Sequence, residues 1–282
     1  MSAVPLTRWQ EFRGELTKLP AFMRRDFLVA WSYRMAFVTD WLGLFVQVVI
    51  FNFVGKVVDP AAIPTYDGQQ PTYLEFVAVG IAISSFMAVA LGRIYNVIRQ
   101  EQLQGTLESL FLTPTSHATI QLGSVVYDLA YVPIRTVLFF VMVTVFFPAE
   151  FYWSGLLPTV AILVAYIPFV WGIGVMAAAW TLTFRRGTAM IGIFTTIATL
   201  GAGTYFPTDV FPTWIQAIVQ YLPLTVALQG ARDALLGGAG WADVVPTIAY
   251  LIPFGVASMF GGLWAFRAAI LRERRSGTLG TY

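Results

Sequence analysis

Three charged residues sit in stretches of sequence that are otherwise apolar: Asp40, Asp128 and Arg135. Asp128 and Arg135 are seven residues apart, two helical turns, so on one helix they point the same way at a separation of roughly 10 Å. A charge at the centre of a bilayer costs about 2.5–3.5 kcal/mol on insertion scales, so each should face protein or water. Two chemistries fit: a polar lining that meets a charged substrate head group, or mutual neutralisation, Asp40 or Asp128 with Arg135 across a helix interface. The structural reading is preferred. A second set of carboxylates lies in the polar stretch Arg99–Thr115, where Glu101 and Glu108 share one helical face and Leu103, Leu107, Leu110 and Phe111 share another. The chain has no Cys, which excludes a disulfide framework, a thiolate zinc site and a thiol nucleophile. His117 is the single His and reads as an exposed loop residue. No G-x-x-x-x-G-K-[ST] occurs, so the chain shows no loop of its own for cradling ATP phosphates, and no cofactor is expected in it.

The elements that carry these residues follow from composition. Of the 282 residues 57% are hydrophobic and 11% charged, where soluble domains carry about 25% charge. That is too little charge to cover a soluble globule, so most of the surface must face lipid. A soluble enzyme, a disordered chain and a nucleic-acid binder are excluded. The expected fold is an all-α integral membrane domain, because a spanning helix satisfies its own backbone. Six spans of about 20 residues are predicted near Ala36–Val58, Thr72–Ile94, Gln121–Phe147, Leu156–Thr183, Thr188–Phe206 and Val244–Ala269. Pro60, Pro71, Pro148 and Pro207 punctuate one set of ends. With the N-terminus inside, fourteen of the 17 Lys and Arg fall in inner segments, and Lys56 and Arg232 in outer ones. Both termini are therefore expected in the cytoplasm.

Residues 1–35 form an amphipathic lead-in: Trp9, Phe12, Leu16 and Leu19 fall at helical spacing, and Phe22, Met23, Phe27, Leu28 and Trp31 make a second apolar face. It reads as a membrane-surface anchor, or as a platform for a cytoplasmic partner. The stretch 99–114 reads as a cytoplasmic helix between spans two and three. The stretch 206–238 has two apolar runs too short to span, set off by Pro212, Pro223 and Gly237–Gly238, and reads as re-entrant or interfacial helices on the outer side. Arg185 and Arg186 make a short inner turn between spans four and five, read chiefly as positive-inside anchoring. Residues 271–282 are a basic tail.

Two of these stretches carry a resemblance. Glu101–Pro114, EQLQGTLESLFLTP, resembles the E-x-x-x-G-T-L-E-x-L-x-x-[ST]-P stretch of ABC-2-type exporter permeases. Tyr205–Thr225, YFPTDVFPTWIQAIVQYLPLT, is similar to that family's outer re-entrant segment with its closing L-P-L-T. The resemblance implies that 99–114 is the coupling helix, with Glu101, Gln104, Gly105, Thr106 and Glu108 facing an ATPase subunit. It implies an outer gate around Pro207, Pro212, Trp214 and Pro223. It also implies two ATPase copies that bind the ATP and magnesium, a second permease copy or related chain, a bacterial cytoplasmic membrane and export from the cytoplasm. The G-T-L-E form looks more like the drug and general-exporter branch than the polysaccharide branch. An amphiphilic small molecule or lipid is therefore the expected substrate, with a lipid-linked glycan as the alternative. A scramblase working without ATP and a polytopic membrane transferase are the rivals from other classes.

Small residues crowd spans four to six, among them Gly172, Gly255, Gly261 and Gly262, and are expected to let helices approach closely. Phe45, Phe51, Phe53, Phe86, Phe139 and Phe140 are expected mainly as lipid-facing filler rather than pathway lining.

Overall fold

The computed structural model describes residues 19–104, 126–183 and 187–276, with 14, 17, 119 and 123 besides. The described residues form helices joined by short turns. In chain order these are α1 Leu19–Ser32, α2 Arg34–Gly55, α3 Tyr73–Gln104, α4 Val126–Phe146, α5 Leu156–Thr183, α6 Gly187–Gly201, α7 Thr213–Val219, α8 Pro223–Leu236 and α9 Trp241–Ser276. Three stretches are long and apolar enough to cross a membrane, Val38–Gly55, Trp153–Thr181 and Trp241–Arg272, and three shorter apolar ones are Tyr73–Val89, Ala130–Phe146 and Ile191–Gly201. These six lie at the six places the sequence marks as apolar. This is a membrane protein, and its outer belt shows it: Leu42, Val46, Ile50 and Phe53 on α2 and Val256, Phe260 and Trp264 on α9 are all exposed.

The core is organised around α3. From Phe76 to Leu91 almost every side chain on it is buried, whichever way it points, against α5 and α8 on one side and α2 and α4 on the other. The helix opens with a capping box: Glu75 Oε2 accepts from the Thr72 N–H at 2.7 Å while Thr72 Oγ1 accepts from the Glu75 N–H at 3.3 Å. Glu75 Oε1 also accepts from the Glu150 N–H at 2.7 Å, tying the turn after α4 to the start of α3. The tightest pairing is α5 with α9. A Cβ on Gly172 would overlap the Ser258 backbone, and one on Gly262 the Gly172 carbonyl. Backbone therefore lies on backbone, as small residues in membrane helices permit. Gly192 and Gly261 meet nothing within 4 Å and have no such role among the described contacts.

Three departures from expectation have local causes. α6 ends at Gly201 rather than near Phe206, because Gly203 takes φ +82° and turns the chain out of the helix. α3 does not stop near Ile94; it runs to Gln104 and absorbs residues 99–104 of the stretch read as a separate helix. Phe86, Phe139 and Phe140 are core residues, 1%, 2% and 0% exposed, whereas Phe53 is 59% exposed. The filler reading therefore fails for the three that face α3 and its neighbours. Gly105, Thr106 and Glu108, His117 and the pair Arg185–Arg186 lie outside the described residues, as does most of the first eighteen.

Candidate functional site

The segment between α6 and α9 is built from two short helices that differ in burial. Pro207 precedes a 3-10 turn at Thr208–Val210, and Pro212 precedes α7. Pro223 occupies the first turn of α8, where its missing N–H costs nothing. The α7 helix is held at its edges: Gln216 Nε2 donates to the Asp209 and Phe211 carbonyls at 3.0 and 2.7 Å, and Tyr250 Oη donates to the Tyr221 carbonyl at 2.8 Å. The apolar residues around α7 divide. Val219 is buried, while Trp214, Ile218 and Tyr221 stand outward, 59–67% exposed. By contrast α8 is nearly swallowed, with Pro223, Leu224, Leu228, Leu235 and Leu236 all buried. The Tyr152 N–H donates to the Leu235 carbonyl at 2.9 Å, and Gly155 packs on the Ala234 backbone.

Arg232 is the residue that fixes α8. It is 4% exposed. Its Nη2 donates to the Gly203 carbonyl at 2.8 Å and to those of Thr204 and Phe76 at 3.3 Å, and the guanidinium carbon lies 3.5 Å from the centre of the Phe76 ring. The Tyr66 hydroxyl lies beside it. Tyr66 is brought there by a tight turn in which Asp67 and Gly68 take φ +47° and +75°, with Tyr66 and Gln69 exchanging both backbone hydrogen bonds at 2.8 Å. One guanidinium thus joins α8 to the start of α3, to the chain leaving α6 and to the α2–α3 loop. Burial lowers its pKa to about 10, opposed by Tyr66 and Asp233, so it stays charged at neutral pH. Burial likewise raises the Tyr66 phenol. Beside it Gly80 of α3 rests on the Thr204 carbonyl with no room for a Cβ, and Ser84 Oγ hydrogen-bonds Thr204 Oγ1. A cavity of about 760 Å³ opens next to this region, with Glu75, Thr144, Glu150 and Tyr152 in its wall.

The sequence reading missed Arg232, treating it only as a basic residue outside the spans. The signal was present: Leu228, Arg232 and Leu235 fall at i, i+4 and i+7, so the arginine stands in the apolar stripe of its own helix. The Thr72-x-x-Glu75 pair was likewise a legible capping box.

At the α1 end of the bundle Arg135 pairs with Asp40. Nη2 of Arg135 is 3.1 Å from Oδ1 and 3.0 Å from Oδ2, joining α4 to α2. The arginine side chain is 11% exposed and the aspartate 50%. One residue along, Trp41 Nε1 donates to Tyr131 Oη at 3.4 Å. The side chain of Asp128 is outside what the structure describes.

The stretch of sequence that builds α1 to α8 carries a family match. Residues 17–236 match the ABC-2 type transporter family. The chain belongs to that family. The matched region takes in every described helix except α9. Among curated proteins this ABC-2 chain is similar to the linearmycin resistance permease protein LnrN of Bacillus subtilis (strain 168), 24% identical over 192 residues, which is 68% of this chain. The chain spans about half the length of that relative, the match covering 49% of it.

Proposed function

We propose that this chain is the transmembrane subunit of an ATP-driven exporter, crossing the bacterial cytoplasmic membrane six times with both termini inside. It moves an amphiphilic small molecule or lipid outward and pairs with a second permease and with two copies of an ATPase subunit. The family match over 17–236 is the observation that carries this reading; the relative's name as a resistance permease supports the drug-exporter branch over the polysaccharide branch.

The mechanism rests on α3. Its 32 residues make one unbroken rod of about 48 Å. Glu101 and Gln104 lie at one end of it, where the ATPase would dock. At the other end Phe76 offers both its ring and its carbonyl to Arg232. A displacement at the ATPase is carried along this rod to the segment holding α7 and α8, which closes the outer exit. Pro207, Pro212 and Pro223 set the breaks about which that segment moves, and Trp214 reports its outer face. Asp40 and Arg135 act as a structural pair, with Asp128 nearby on the same helix.

The test is whether the tagged chain, extracted gently from its native membrane, brings an ATPase with it in stoichiometric amount, and whether changing both Glu101 and Glu108 to Ala removes that ATPase from an otherwise folded protein. A folded, dimeric preparation with no ATPase in either form would overturn the exporter reading in favour of an ATP-independent scramblase.

A further inference from the structure

At the α1 end of the bundle, α1 and α2 are separated by the single non-helical residue Tyr33, with φ −98° and ψ +54°. The elbow so formed faces α4 and encloses a groove of about 530 Å³, within the range of small-molecule sites. Its walls are almost wholly apolar and aromatic. Phe27 stacks on Trp31 at 6.1 Å and meets the Tyr127 ring edge-on at 6.4 Å, and Tyr127 stacks on Tyr131 at 5.8 Å. Ile134 lines the wall from α4 and is 58% exposed. The groove therefore stands open rather than packed.

One cation lines it. The Arg34 guanidinium lies 5.2 Å from the centre of the Trp31 ring and is exposed. Among the described carboxylates, Asp26 is engaged by Arg25 at 2.9 Å and Asp40 by Arg135, and none forms an ion pair with Arg34. An apolar trough with a forked cation at its wall, unpaired by any described carboxylate, is complementary to an acyl chain carrying a phosphate. Guanidinium binds phosphate through two parallel N–H donors, and basic pockets between helices on the cytoplasmic side select anionic headgroups.

We propose that this groove binds an anionic phospholipid of the cytoplasmic leaflet, its phosphate on Arg34 and an acyl chain along Phe27, Trp31, Tyr127 and Ile134. The site uses the inner placement of α1 argued above but not the export activity.

The experiment is thermal unfolding of the full chain in detergent, titrated with phosphatidylglycerol or with phosphatidylcholine of the same acyl chains. Phosphatidylglycerol should raise the midpoint at concentrations about tenfold below those phosphatidylcholine needs. Arg34→Gln should abolish that preference, while Lys56→Gln at the opposite end should leave it intact. Should Arg34→Gln fail to fold, Ile134→Trp, which fills the trough with Arg34 in place, should weaken both lipids by about tenfold. Equal stabilisation of the wild-type chain by the two lipids, or a phosphatidylglycerol preference surviving in Arg34→Gln, would overturn the proposal. Because no ATPase is present, its failure leaves the exporter reading untouched.

Discussion

Arg135 and Arg232 are both arginines taken out of water, and the protein keeps them in opposite ways. Arg135 has a formal counter-charge, Asp40, half of whose side chain remains in contact with solvent. Arg232 has no carboxylate hydrogen-bonded to its side chain among the described residues. Three backbone carbonyls, a phenol and a ring face surround it instead. A water-accessible ion pair is worth little and can separate, since either partner is rehydrated at modest cost. A guanidinium bonded to the carbonyls beyond α6 cannot leave without orphaning those of Gly203 and Thr204. The first contact suits two helices that shift against each other. The second suits an element that moves only with the helix it grips.

The largest effect should come from Arg232. Arg232→Met strips the buried carbonyls of Gly203 and Thr204 of a donor and should cost about 3 kcal/mol, read as a lowered unfolding midpoint in detergent. Arg232→Lys keeps the charge but not the fork, and should recover less than half of that loss. Next, Asp40→Ala leaves Arg135 nearly buried without its partner and should cost about 1–2 kcal/mol, more than Arg135→Ala, which strands only a half-solvated carboxylate. A double-mutant cycle on the pair should give a coupling near 1 kcal/mol that shrinks in high salt. A coupling above that of Arg232, and indifferent to salt, would erase the contrast. The smallest effect is Tyr66→Phe, which removes the polar phenol beside Arg232 and should cost at most about 1 kcal/mol. No loss there would mean that the carbonyls alone hold the guanidinium.

Much of the architecture was legible because hydrophobicity in a membrane chain is nearly a map. The six apolar stretches, the prolines before α7 and α8, and the close approach at Gly172 and Gly262 all follow from residue type and spacing. The α6 end was not legible, because a glycine pattern does not say which glycine, here Gly203, turns left-handed. Nor were the buried phenylalanines: Phe86 and Phe53 look alike in sequence, and only the central position of α3 separates them. The coupling stretch is the clearest motif in the chain, yet all of it beyond Gln104 lies outside the described residues, so its role rests on the sequence and the family. Arg232 was legible in principle. A basic residue inside an apolar stripe announces buried acceptors, but those acceptors are backbone atoms from two distant segments that no local pattern reveals.

The contact of α5 with α9 has one more consequence. With the Ser258 backbone seated against Gly172 and Gly262 against the Gly172 carbonyl, backbone meets backbone there with no side chain between to act as a bearing. At that point they cannot roll or slide past each other without collision, and the pair should serve as a fixed ruler whatever the other helices do. Probes placed on α5 and α9 should keep their spacing through every stage of a transport cycle, which gives any distance measurement on this protein its own zero.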